Sequence, residues 1–212
     1  MTFEEEFDRL VSPLLSSCPC IDFTDDEMAR ITEWAEKKSE YKLASKEAHH
    51  IADGSKEVKR NITGQMGEWA VEKYLGISFV DWTIGDSVNY AHPDIGIKNV
   101  GVKTVEYGKF PVIFVNSYYP EIICVKKGNS VYILGLAETK ALNKYQDSKY
   151  ILDAALAGRG SKTCFTGFDK LKPISLYKGK RGGAAETERG PSPLDAPTFD
   201  EMLAMLAAMR PK

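Results

Sequence analysis

The chain has 212 residues, with 28 Lys/Arg against 30 Asp/Glu for a net charge of −2, and is 43% hydrophobic and 27% charged. These values describe an ordinary globular protein and exclude both a disordered polyelectrolyte and, on overall charge alone, a generic polyanion binder. No apolar run approaches the roughly 18 to 20 residues of a membrane span, and the acidic start Met-Thr-Phe-Glu-Glu-Glu-Phe-Asp is the opposite of a signal peptide, so no membrane association and a cytoplasmic location are expected.

The average hides an asymmetry. Residues 1–40 hold 4 Lys/Arg against 11 Asp/Glu, whereas residues 98–181 hold 15 against 6. A basic half suits a phosphate-backbone ligand, since neutralising phosphates releases condensed counterions. The alternative is that acidic and basic surfaces simply attract each other. The cysteines at 18, 20, 124 and 164 lack metal-knuckle spacing and read as reduced thiols. His49 and His50 read as solvated.

Phe3, Phe7, Leu10, Val11, Leu14 and Leu15 recur at helical spacing, which predicts an amphipathic first helix ended by Pro19. Thr24 followed by Asp25, Asp26 and Glu27 opens a second, long helix as a capping box, with a break expected near Lys38-Ser39. A third is predicted from about Ile62 to Leu75, stopped by Gly76. The period then shortens. Runs at 77–84, 94–98, 100–105, 112–115, 122–126 and 131–136 are β-branched or aromatic and read as strands, with Lys98-Asn99 as a tight turn that sets Asp94 and Lys103 on adjacent antiparallel strands. Residues 138–145 and 150–157 look helical, and 163–176 would add peripheral strands. Residues 178–197, rich in Gly and Pro, read as a flexible linker, and 198–212 as a C-terminal amphipathic helix that docks on its own core or meets a partner. The expected fold class is therefore α/β, a mixed central sheet flanked by helices, with an N-terminal helical extension (1–60), an α/β core (61–177) and the linker and helix beyond.

The chemistry concentrates in Gly64-Gln65-Met66-Gly67-Glu68, Pro93-Asp94 and Gly101-Val102-Lys103. A helix carboxylate, a strand carboxylate and a strand lysine can converge on a metal ion and a phosphate. Hydrolysing a phosphodiester at neutral pH needs a nucleophilic hydroxide and neutralisation of charge on the scissile phosphate, which one or two Mg²⁺ ions provide. Mg²⁺ is held by one or two carboxylates, water and substrate oxygens. A cross-strand Asp–Lys pair on its own would be an unremarkable surface feature.

From about Ile62 to Leu136 the layout resembles the PD-(D/E)XK nuclease superfamily, whose fold is restriction-endonuclease-like, and Val131-Tyr-Ile-Leu-Gly-Leu-Ala137 looks like the strand and helix entry of its phage and prokaryotic members. The resemblance implies a Mg²⁺- or Mn²⁺-dependent nuclease, with Asp94 as central metal ligand, Glu68 as auxiliary ligand and Lys103 as partner of water and phosphate, acting on DNA rather than RNA. Gly101 departs from the pattern, since a second strand acid is usual there. Strand alternation turns Glu106 to the other face, so Glu72 and Gln65, one turn either side of Glu68, become the candidate replacements. The rival expectation is a catalytically inactive protein of this fold that binds nucleic acid or a host protein, as a phage-type inhibitor or interaction module would. A homodimer is compatible with either. Trp82, Tyr90, Tyr107, Phe110, Tyr118 and Tyr119 flank the site strands as candidates for base stacking.

Overall fold

Helix α1 (Phe3–Leu15) begins at a reciprocal cap, Thr2 accepting from the Glu5 amide while the Glu5 side chain accepts from the Thr2 amide. In the computed structural model, which describes residues 2–44, 54–84, 94–95, 99–158 and 160–175, this helix buries Phe7 and Val11 completely. Phe7 meets Tyr107, Phe110 and Phe168 edge-on, the arrangement aromatic quadrupoles favour. The expected linker at 178–197, the helix at 198–212, and the sequence positions His49, His50, Tyr90, His92 and Lys98 lie outside the described residues.

After the short strand β1 (Cys20–Asp22), two long helices form an antiparallel pair. Helix α2 (Asp25–Ala44) starts at the predicted cap, where Thr24 and Glu27 exchange hydrogen bonds, and runs unbroken through Lys38 and Ser39. Ser39 is buried and accepts from Asn61 of helix α3 (Gly54–Leu75), so the polar pair that suggested a break is instead a cross-helix hydrogen bond. Glu27 with Lys73 at one end and Lys42 with Glu57 at the other fix the antiparallel register. Helix α3 begins about two turns before the expected Ile62. It ends as expected, with the Gly76 amide bonded to the Glu72 carbonyl.

The strands are β2 (Gly101–Glu106), β3 (Val112–Phe114), β4 (Glu121–Lys127), β5 (Ser130–Ala137), β6 (Gln146–Asp147) and β7 (Lys162–Phe165), with helices α4 (Thr139–Lys144) and α5 (Ala154–Ala157). One mixed sheet has the order β1-β5-β4-β2, antiparallel except for the parallel β4–β2 pair, and a smaller antiparallel sheet has the order β3-β7-β6. The fold is thus α/β with a mixed sheet. Residues 77–84 form no strand, correcting the pattern reading, because their first amides are held elsewhere, as described below. The stretch 150–157 is helical only over α5, and the first sixty residues are no mere extension, since β1 is an edge strand of the main sheet and α1 and α2 cover its two faces.

Two cores sit on opposite faces of that sheet. Ile123, Val125 and Leu134 face α1 and the small sheet, whereas Ile122, Cys124, Val131 and Ile133 face α2 and α3. Helix α3 crosses β2 at Gly67. A Cβ there would lie 1.6 Å from Thr104 Oγ1 and 2.6 Å from Thr104 Cβ, so only glycine permits this approach. Gly67→Ala is therefore expected to force helix and strand apart and lower stability by at least the ~1–3 kcal/mol of an overpacked core. Thermal denaturation checks this, and Thr104→Ala in the same chain should restore only part of the loss, since the Thr104 Cβ remains in the way.

Candidate functional site

The crossing at Gly67 sets the next residue, Glu68, half-buried at the free edge of the main sheet. Outside β2, Ile95 pairs with Val100 in an antiparallel bridge, and the turn between them passes through Asn99 with φ at 50°, a left-handed conformation that Asn tolerates. The expected adjacency of Asp94 and the Lys103 strand is present in this form. The bridge sets Asp94 beside Gly101, where its Oδ2 accepts from the Val102 amide. Lys103 follows two residues along β2, on the same face as Gly101.

The parallel register of β2 and β4 pairs Gly101 with Glu121 and Lys103 with Ile123. Glu121 therefore joins the same face. It is 6% exposed, with Lys103 Nζ 3.8 Å from its Oε2, beyond hydrogen-bonding reach. Tyr119 reaches the same spot from the segment leading into β4.

The carboxyl groups are raised mainly by burial, with Asp94 adding to the effect on the two glutamates. Burial, then the charge of Asp94, push Glu68 up to about 7, with Lys103 pulling in the opposite direction. Asp94 is raised by desolvation against the pull of the Val102 amide and Lys103. The residue lies at the surface, but its carboxyl is turned inward over Gly101. Glu121 is raised by burial and by Asp94, with Lys103 and Lys162 opposing. Three acids of raised pKa thus surround one ammonium, partly withdrawn from water, a perturbation of the kind that both functional sites and buried ion-pair networks produce.

The helix residues proposed to replace the missing acid are turned to other tasks. Glu72 Oε2 accepts from the Phe79 and Val80 amides at 2.8 and 2.9 Å, closing the chain after α3. The Gln65 side-chain amide is buried and donates to the Asp81 carbonyl. Glu106 pairs with Lys109. The residue that sequence reasoning missed is Glu121. It stands in Pro120-Glu121-Ile122 with no motif around it, and only the register of two strands distant in sequence brings it to Gly101.

Among the aromatic candidates, Phe110 is core, Tyr107 hydrogen-bonds to Asp8 and Ser12, and Trp82 stacks edge-on to Trp69 beneath the Arg30 guanidinium. Tyr118 is 88% exposed and Phe114 51%, the latter with Lys162 over its ring. Among the described residues no three His, Cys, Asp or Glu side chains stand as a ready-made metal cage. Comparison of the chain with family models, curated proteins and solved structures returns no match.

The raised carboxyls have a measurable consequence. An acid ionising near 4.5 in the unfolded chain but near 7 in the fold costs nothing below the lower value, and its penalty grows as pH rises to the upper one. Glu68→Gln is therefore expected to raise the melting temperature of the metal-free protein at pH 8, by up to the equivalent of about 3 kcal/mol, and to leave it unchanged near pH 4. Glu72→Gln should do the reverse, lowering stability by ~1–3 kcal/mol at pH 8 through the two weakened amide contacts. Melting curves across pH 4–8 separate the two glutamates.

Proposed function

We propose that this protein is a divalent-metal-dependent nuclease of the PD-(D/E)XK kind, with a restriction-endonuclease-like sheet, hydrolysing nucleic-acid phosphodiester bonds and DNA in preference to RNA. The observation that carries the reading is the grouping of Glu68 from helix α3, Asp94 from the segment bridged to Val100 and Lys103 from β2, with the carboxyl groups held above their ordinary range. Hard oxygen donors suit Mg²⁺ or Mn²⁺, which need only one or two carboxylates from the protein. Asp94, with Glu68 from the helix, would hold the ion. When bound, it supplies Lewis acidity and a water ionised near neutral pH.

The rest belongs to the chain. Lys103, at the partly exposed mouth of the cluster, offsets negative charge on the scissile phosphate and orients the attacking water. As the water oxygen bonds to phosphorus it gives up a proton to solvent, while the bond to the leaving sugar oxygen breaks and that oxygen takes a proton from solvent at the rim. The exposed Tyr118 and Phe114, with Lys162, offer stacking faces and positive charge near the site, which is what a flexible nucleic-acid strand requires. The basic half of the sequence would track the backbone.

Incubating the purified chain with Mg²⁺ or Mn²⁺ and linear duplex, single-stranded DNA or RNA tests the reading. Cleavage is expected to stop on chelation and to fall by roughly 10²-fold or more in Asp94→Ala and Lys103→Ala. Cutting by these variants at the wild-type rate sinks the site. Salt-sensitive DNA binding without any metal-dependent cutting would establish the rival, a binding protein on the same scaffold.

A further inference from the structure

Position 101 has no side chain, and the space beside it is filled from both flanks. Asp94, Gly101 and Glu121 lie side by side, Asp94 next to the isolated Ile95–Val100 bridge on one flank of β2 and Glu121 on β4 in the Gly101–Glu121 register on the other. A Cβ built on Gly101 would sit 3.6 Å from Asp94 Oδ2 and 3.5 Å from Glu121 Cγ, with Tyr119 Cε2 at 3.3 Å closing a third side. The two acids thus lean toward each other over the glycine.

Glu121 is the more telling partner. It is 94% buried, and among the described residues its Oε2 has no hydrogen-bond partner. A carboxylate oxygen withdrawn from water without a donor costs several kcal/mol unless something of opposite charge completes it. Lys103 does so only in part, at 3.8 Å and from a more exposed position. A structural ion pair would close that distance, and a core position would carry an apolar side chain like its neighbours Ile122 and Ile123. The orphaned oxygen instead points to a cation seated between Glu121 and Asp94.

We propose that Glu121 is a metal ligand that, with Asp94, holds a hard divalent cation over Gly101, performing from the neighbouring parallel strand the role of an acid at position 101. The assignment rests on the nuclease reading for the use of the ion, and on Gly101 and the unpartnered oxygen for its place. Two carboxylates suffice for Mg²⁺ or Mn²⁺, and the absence of thiol or imidazole donors from this pair disfavours softer metals. Gly101 then leaves room beside its backbone for the carboxyls that flank it.

Titration calorimetry with Mn²⁺ alone, on the full chain at pH 8, tests this without any turnover. Wild type is expected to bind, Asp94→Asn and Glu121→Gln to bind at least 10-fold more weakly, and Glu121→Asp to fall between. Moving the acid back, Gly101→Asp with Glu121→Gln, is expected to recover part of the lost affinity. Melting curves show that each variant is folded, and Glu121→Gln, which removes a buried charge, should melt no lower than wild type in the absence of metal. If Glu121→Gln binds Mn²⁺ as tightly as wild type while Asp94→Asn does not, Glu121 is only a counter-ion to Lys103 and the proposal falls while the nuclease reading stands. If wild type binds no Mn²⁺, both fall together.

Discussion

Strand β4 carries an apolar side chain at every position from Ile122 to Val125, and all four are fully buried. A strand of this kind has no face it can leave to water, so two separate covers are required, and the rest of the molecule is arranged to supply them. Helices α2 and α3 close one side, while α1 and the small sheet close the other. The first residue of the strand is the exception. Glu121 emerges where the apolar run begins and where β2 ends the sheet, so the most protected strand delivers a carboxylate to the least protected edge.

That edge is held open by two glycines with different duties. Gly67 lets a helix descend onto the strand until Thr104 touches its backbone, and the proximity of Glu68 to Asp94 follows from that depth. Gly101 leaves room between two acids. In both places a missing side chain positions its neighbours' charges more firmly than an added contact would, because neighbouring residues in a close-packed interior have little freedom to drift. The outcome is three acidic groups raised chiefly by burial, with Asp94 opposing the ionisation of Glu68 and of Glu121 and Lys103 pulling all three the other way. Such crowding is unfavourable for the metal-free chain, and sites that do chemistry commonly carry this kind of stored penalty.

Much of the scaffold was legible in the residues. The Thr24 capping box, the stop at Gly76 and the β-branched runs that become β2, β4 and β5 each follow a local rule and occur where that rule places them. The failures have separate causes. Residues 77–84 have strand-like composition, but the Glu72 carboxylate takes the amides of Phe79 and Val80, and a side chain three residues before a helix end cannot be seen to do so from periodicity. Strand β1 is three residues long and polar at both ends, below any pattern's reach. Glu121 was overlooked because its significance lies in a parallel register twenty residues removed from Gly101, and register between distant strands leaves no mark on either one.

The parallel pairing of β2 with β4 also has a bearing on when the cluster comes into being. Residues 68, 94 and 121 belong to three segments with no sequence proximity, and the crossover between the two parallel strands passes through the small sheet at β3 before returning. Parallel pairs of this kind close late, because the entropy of the intervening loop must be overcome before any contact rewards it. A nascent chain therefore holds its acids far apart and feels none of their mutual repulsion. The cluster exists only once β2 and β4 have paired, so a partly folded molecule lacks the grouping on which the proposed activity depends.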